Sequence, residues 1–245
     1  MNGEGPLSGV RVVDVSTSYA GPTATMYLGD MGADVIKVER PETGDDARLW
    51  GPPFVGDEAG GESAWFLSAN RNKRSVCLDL STQEGLAALM RLLDGTDVFV
   101  ENINPAKLEK RGLDPKALRE RFPRLIYCAL SGFGLDGPDR ARPGYDLIAQ
   151  ARSGLMSVTG AKGGTPQRVS TALSDVVAGM MAAFAVAAAL VRQQSTGEGE
   201  LVDVSLLDAD LALMAPRVAS WSLEAYGELD AGFRRYSESL PRFEA

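Results

Sequence analysis

Val10-Arg11-Val12-Val13-Asp14-Val15 and Asp34-Val35-Ile36-Lys37-Val38-Glu39 are two β-branched runs of strand length. Between them, Ser16 to Gly21 reads as a loop, and Pro22 opens a helix that reaches about Met31. Gly32 supplies the glycine that commonly closes such a helix. Two strands joined through a helix lie parallel, with a right-handed crossover. The segment therefore predicts a βαβ unit.

The same alternation continues outward. Arg40 to Gly61 is rich in Pro, Gly and Asp and reads as a long loop, the kind that carries function in compact domains. Arg74 to Leu80 is a strand. Thr82 to Leu93 is a helix, with Thr82 as N-cap and Glu84 in its first turn. Asp97 to Glu101 is a short strand, and Pro105 to Gly112 and Pro115 to Arg121 are short helices. Leu125 to Leu130 is a strand that leaves through Ser131-Gly132-Phe133-Gly134. Asp146 to Ser153 is helical, while Leu155 to Thr159 and Pro166 to Ser174 are irregular. An Ala-rich helix runs from about Asp175 to Gln194, Gly197-Glu198-Gly199 turns, Leu201 to Ser205 is a strand, and Leu206 to Trp221 is a helix. Strands alternating with helices predict an α/β fold with a doubly wound parallel sheet.

Composition narrows the function. The chain has 245 residues, 44% hydrophobic and 24% charged, as in ordinary globular proteins. A formal net charge of -8 argues against a nucleic-acid partner, though a local basic pocket for one small phosphate ligand stays open. The longest apolar stretch, Val176 to Val191, is shorter than a membrane span and rich in small residues, so a buried helix is expected and no membrane partner. The N-terminal residues lack the pattern of a secretory signal. Cys77 and Cys128 lie in strand-like runs and read as reduced core residues of a cytoplasmic protein. The chain has no histidine, which removes Ser-His-Asp and Cys-His catalysis and histidine-based metal sites. Carboxylates, Lys, Tyr, Ser, Cys and backbone dipoles are left, and carboxylate nucleophiles are an established solution. Neither a P-loop nor a Gly-x-Gly-x-x-Gly fingerprint is present, so neither ATP nor NAD is expected.

A series of short motifs then lines up. These are Val12-Val13-Asp14 with Ala20-Gly21-Pro22, Gly32-Ala33-Asp34-Val35-Ile36-Lys37-Val38-Glu39, Asn72-Lys73-Arg74-Ser75 and Val100-Glu101-Asn102. Gly144-Tyr145-Asp146, Ser153-Gly154, Ser174-Asp175 and Thr196-Gly197-Glu198-Gly199 follow. Each is weak alone, but in this order, from about Gly9 to Asp208, they resemble the family III CoA-transferases, a family that also contains acyl-CoA racemases. The resemblance implies a Rossmann-like CoA-binding large domain over residues 1–221 and a crossover linker over residues 222–245 toward a small domain. The final segment, Ser239 to Ala245, carries no stop signal, so a continuation or a second chain is expected to supply the rest. Coenzyme A and acyl-CoA are implied as substrates together with a free carboxylic acid. No tightly bound cofactor and no metal are implied. The implied partner is a second copy, as a homodimer, or a chain carrying the missing part.

Taken from the residues alone, Ser174 and Asp175 are a helix N-cap pair, where the helix dipole stabilises a carboxylate. The resemblance makes Asp175 the nucleophile that attacks the acyl-CoA carbonyl and later holds CoA as an aspartyl thioester. Tyr145 reads as an aromatic with a satisfied hydroxyl; in the racemase branch this position is histidine. That departure, with no histidine anywhere, disfavours racemase chemistry and favours transfer. Asp146 is an acidic position near the site, or the cap of the helix it opens. Ala178 and Gly179 either admit a bulky thioester or let two helices pack closely.

CoA carries a diphosphate and a 3′-phosphate and needs Arg or Lys nearby. Arg40 follows the second strand directly, at the edge where α/β sheets bind ligands. The resemblance places further CoA contacts at Lys73 and Arg74, which alone read as a solvated charge run. It adds the loop Thr17 to Ala20 (with Ser18, Tyr19 and Ala20), Leu78 and Asp79, Asn102, and Lys110. Gly132 and Gly134 read as a simple strand exit. Three readings compete: CoA transfer through Asp175, isomerisation of an acyl-CoA, and a non-catalytic CoA-binding fragment or partner subunit.

Overall fold

The computed structural model describes residues 5–56, 61–161 and 163–225. Its order is β1 (Arg11–Asp14), α1 (Ala20–Asp30), β2 (Asp34–Glu39), β3 (Phe54–Val55), β4 (Glu62–Ser63), α2 (Ala64–Asn70), β5 (Lys73–Cys77), α3 (Gln83–Leu93) and β6 (Val98–Glu101). Then come α4 (Pro105–Arg111), α5 (Pro115–Arg121), β7 (Ile126–Ser131), α6 (Asp146–Arg152), α7 (Leu173–Thr196), β8 (Leu201–Ser205) and α8 (Leu206–Ala225). Six strands form one sheet in the order β5-β2-β1-β6-β7-β8, every pair parallel. The order runs outward from β1 in both directions, which is the Rossmann arrangement expected from the sequence. Of the linker expected over residues 222–245, residues 222–225 continue α8, and 226–245 lie outside the described residues.

Both faces of the sheet are covered, because successive side chains along each strand point to opposite sides. Val12, Val98, Ile126, Cys128 and Val202 face α1 and α7, meeting Ala24, Leu28, Ala182 and Val186. Val13, Phe99, Tyr127 and Ala129 face the other way, against Leu89, Leu93, Leu108 and Leu118 of α3, α4 and α5.

By length and composition α7 would suffice to cross a bilayer. One side of it, with Ala178, Ala182, Val186 and Leu190, is instead buried in the core. Gly179 settles one alternative: a Cβ there would lie 2.8 Å from the Ala20 carbonyl oxygen and 2.9 Å from Thr23 Cβ. The small residues serve close approach of α1 and α7, since a methyl group has nowhere to go.

Three local expectations change. The loop from Arg40 to Gly61 contains a 3-10 turn at Asp46–Leu49 and the first strand of the β3-β4 hairpin. The short helix α2 follows, capped by the Ser63 side chain. Cys77 is exposed on the edge strand β5 rather than in the core, whereas Cys128 is buried and burial pushes its thiol up.

Candidate active site

In this topology β1 and β6 are neighbours whose chains leave in opposite directions, so a crevice opens outside their carboxyl ends. The loop after β1 is held there by buried charge. Lys37 is 1% exposed; its ammonium lies 2.8 Å from Asp45 and 3.9 Å from Asp14, and donates to the Ser16 carbonyl at 2.8 Å. Lys73 reaches Asp14 at 3.2 Å from the other side. Burial opposes the Asp14 charge, but Lys37, Lys73 and the hydroxyls of Ser16 and Thr25 hold its carboxyl down to about 2. Asp45 accepts the Ser18 N–H at 2.9 Å, at a residue whose φ is 71°. Asn102, just past β6, completes the anchorage: its Oδ1 accepts the Thr17 N–H at 3.0 Å and its Nδ2 donates to the Thr17 carbonyl at 2.7 Å.

Two adjoining clefts flank this loop. The inner one, about 360 Å³, is lined by Ser18, Ala20, Gly132, Arg140, Arg142, Tyr145, Asp175 and Leu206, among others. The outer one, about 490 Å³, includes Arg40, Leu78, Asp79, Lys107 and Arg111. Thr17, Asp46, Asn102, Asn104 and Lys107 belong to both, so the two are continuous. Gly132 is more than a strand exit. A Cβ on it would sit 2.4 Å from Gly144 Cα, so only glycine lets the segment leading to Tyr145 lie against the end of β7.

Asp175 stands in the first turn of α7, but it does not cap the helix. The cap position is Ala172, which has no side-chain acceptor. The expected Ser174–Asp175 cap is replaced by Asp146 from α6, whose Oδ1 accepts the Ser174 N–H at 2.9 Å. Nor does Asp146 cap its own helix: the cap of α6 is Tyr145, without a side-chain bond. The other Asp146 oxygen accepts from Gln150 at 2.8 Å, and Gln150 in turn takes the Val169 N–H at 2.8 Å. On the third side, Ser174 Oγ donates to Asp210 of α8 at 2.9 Å. Three carboxylates thus gather at one helix end. Burial first, then the negative charge of Asp146, push the Asp175 carboxyl up to about 7. The Ala20 N–H at the start of α1 pulls the other way, and Asp210 adds a smaller push. A carboxylate so placed is partly desolvated and faces a cleft, as a nucleophile requires.

The residues singled out in the sequence divide into two sets. Ser18, Ala20, Asn102, Tyr145 and Asp175 line the inner cleft, and Arg40, Leu78, Asp79 and Asn102 line the outer one. Arg40 is paired with Asp46, and Asp79 accepts from Ser81. Asp146 stands behind Asp175 rather than in the lining. Tyr19 caps α1 and turns its ring onto Trp65, with centroids 5.3 Å apart. Lys73 is buried on Asp14, Asn70 and the Pro22 carbonyl, while Arg74 is exposed and pairs with Asp34 at 2.7 Å. Lys110 lines neither cleft; Lys107 and Arg111, one helical turn apart on α4, do. Sequence reasoning missed these two, together with Arg140, Arg142 and Asp210. The i, i+4 spacing of Lys107 and Arg111 was readable; the placement of Asp210 beside Ser174 was not.

The chain matches the model of CoA-transferase family III over residues 7–237. Succinyl-CoA:glutarate CoA-transferase from Homo sapiens is 44% identical over 90% of this chain and 50% of its own length. Succinate–glutarate CoA-transferase from Agrobacterium fabrum is 46% identical over 87% of this chain and 54% of its own. The crystal structure of a CAIB/BAIF family protein from Brucella suis superposes with a TM-score of 0.84 at 40% identity, covering 91% of this chain and 58% of that one. The chain spans about half the length of the curated relatives it matches. With its sheet order, its matched length and these relatives in agreement, this chain belongs to CoA-transferase family III.

Proposed function

We propose that this chain carries the nucleophile and the CoA-binding clefts of an enzyme that moves coenzyme A from an acyl-CoA to a free carboxylic acid through an aspartyl thioester on Asp175. The observation that carries this reading is the position of Asp175. It is a largely desolvated carboxylate in the inner cleft, continuous with an outer cleft whose cations are Arg40, Lys107 and Arg111. Those cations suit the phosphates of CoA, with the pantetheine arm running inward past Asn102 to the thioester.

The exchange needs no histidine and no redox partner. The Asp175 carboxylate adds to the thioester carbonyl, the C–S bond breaks, and CoA leaves as a thiolate, giving a mixed anhydride. The thiolate then adds to the aspartyl carbonyl and expels the first carboxylic acid as its carboxylate, giving the aspartyl thioester. The incoming carboxylate attacks that thioester, CoA leaves again, and a second anhydride forms. The thiolate finally attacks the carbonyl of the new acid and releases the Asp175 carboxylate. Backbone N–H groups at the start of α1, where Ala20 already acts on Asp175, are placed to stabilise the oxyanions.

The relatives' names direct the choice of substrates: succinyl-CoA with glutarate, and acetyl-CoA with oxalate in an Acetobacter aceti relative. A second chain or second copy would supply the cover that keeps water from the thioester; one relative, from Chloroflexus aurantiacus, is named an alpha subunit. The test incubates the protein with succinyl-CoA and glutarate and follows glutaryl-CoA and free CoA side by side. Glutaryl-CoA formation that disappears in D175A supports transfer. Release of free CoA alone indicates hydrolysis, and activity surviving in D175A contradicts the reading.

A further inference from the structure

The mechanism above does not use Asp210, yet this side chain is the most deeply placed of the three carboxylates around the α7 terminus. It is 0% exposed. Its Oδ2 accepts the Ser174 hydroxyl at 2.9 Å; its Oδ1 makes no hydrogen bond of good geometry among the described residues, although the Ser153 hydroxyl also acts on this carboxylate. A fully buried acid held by so few hydrogen bonds is costly in a fold, and a hydrophobic residue of similar volume avoids that cost. Ser174 is the residue immediately before Asp175, and it is also bound from α6: its N–H goes to Asp146 Oδ1 at 2.9 Å and its hydroxyl lies 3.3 Å from the Asp146 carbonyl. One serine is therefore clamped between α6 and α8. The residue after it is the one that faces the cleft.

We propose that Asp210 is a positioning residue for Asp175, acting through the Ser174 hydroxyl to fix the first turn of α7 and lending its charge to the nucleophile's surroundings. The inference rests on Asp175 being the nucleophile. The charged groups acting on Asp175 are Asp146 from α6 and Asp210 from α8; from α1 comes only the Ala20 N–H. Asp210 is itself pushed up from the ordinary carboxylate range by burial, against the hydrogen bond from Ser174, with the Asp146 charge adding a smaller push and the Ser153 hydroxyl a smaller pull. When it is ionised, its charge disfavours ionisation of Asp175. An asparagine at 210 keeps an acceptor for Ser174 and deletes the charge, whereas a leucine deletes both.

The experiment compares wild type, D210N, D210L and S174A in two readouts. The first is the rate of CoA-adduct formation on Asp175 from succinyl-CoA. D210L and S174A are expected to lose about tenfold or more in rate with unchanged CoA affinity. D210N is expected to recover most of that loss, and the D210L/S174A double variant to be no worse than either single one, because both break the same link. The second readout is the titration of Asp175 followed by carbon-13 carboxyl NMR, which needs no CoA chemistry. Asp175 is expected to titrate about half a pH unit lower in D210N, since a neighbouring negative charge is gone. An Asp175 titration in D210N superimposable on wild type overturns the proposal, as do losses that multiply in the double variant. If D210L fails to fold, the D210N titration still decides. If wild type forms no adduct while the D210N shift is seen, the nucleophile assignment fails and the link between Asp210 and Asp175 stands.

Discussion

The Asp146 carboxylate accepts the Ser174 backbone N–H at 2.9 Å, so the helix turn that carries Asp175 is capped from a different helix, 28 residues earlier in the chain. A cap supplied from elsewhere leaves the Asp175 carboxylate free of its own helix end. It also places a second negative charge beside the first. The same contact that stabilises the turn therefore makes Asp175 harder to ionise, which ties the fold of this corner to its chemistry.

That coupling sets a pH dependence. Asp175 attacks as a carboxylate, and its carboxyl is pushed up to about 7 by burial and by Asp146. Below that pH the ionised fraction falls about tenfold per unit, and above it the fraction saturates. The rate of adduct formation, measured by quenched mass spectrometry at saturating acyl-CoA, is expected to climb from about pH 5.5, to reach half its maximum near pH 7 and to level by about pH 8. A rate constant that is flat through this window speaks against Asp175 as the attacking group.

The same shift has a stability counterpart. A carboxyl whose folded-state pKa is raised binds its proton more tightly in the native chain. Its contribution is present below the unfolded value, near 3.8, and is lost as pH rises through about 7. Asparagine at 175 does not titrate. D175N is expected to exceed wild type in stability at pH 8 by on the order of 2–4 kcal/mol, with the gap closing toward pH 4. Urea unfolding at the two pH values reads this directly. A D175N variant no more stable than wild type at pH 8 contradicts the strained-carboxylate picture.

Lys73 and the α4 cations are expected to separate cleanly. Lys73 is buried on Asp14, and losing one member of a buried ion cluster costs on the order of 3 kcal/mol. K73M should lower the urea midpoint and leave CoA affinity within about twofold, because the side chain lines neither cleft. K107A and R111A should do the reverse, each weakening CoA binding about tenfold at low salt and less at high salt. Calorimetric CoA titrations on the three variants test it. Weaker CoA binding in a folded K73M, with no change in K107A or R111A, would reverse the assignment.

Gly179 gives a purely steric test. Its missing Cβ lets α7 approach the Ala20 carbonyl, and an alanine would place a carbon 2.8 Å from that oxygen. G179A gains about 1 kcal/mol of helix propensity but is expected to lose about 1–3 kcal/mol to overpacking. Because Ala20 also acts on Asp175, the displaced α1 should slow adduct formation as well. A G179A variant as fast and as stable as wild type would show that α1 tolerates the shift.

Much of this was legible in the sequence. The apolar runs of β2 and β8 fixed their own limits, and Pro115–Arg121 announced both ends of α5. The glycines after α4 and α7 take the left-handed conformation that closes a helix. What escaped was contact across the chain and phase along it. The hairpin β3-β4 has two residues per strand, too few to show a period. Cys77 looked like a core residue because it sits in the apolar run Val76-Cys77-Leu78, but β5 lies at the sheet edge, where half the environment is solvent. Lys110 carried the right charge and shares a helix face with Lys107, but the way α4 is set against the loop after β6 brings Lys107 and Arg111 to the cleft and not Lys110. Asp210 gave no local sign at all, since its partner Ser174 lies 36 residues away.

The most direct test of the central claim is intact-protein mass spectrometry after incubation with succinyl-CoA, followed by hydroxylamine trapping and peptide mapping. The expected result is a single CoA-sized adduct on the intact protein, which hydroxylamine displaces as free CoA to leave a hydroxamate on the peptide containing Asp175, both absent in D175N. A protein that binds CoA but acquires no adduct, or an adduct mapped to another residue, would contradict the assignment of Asp175 as the nucleophile.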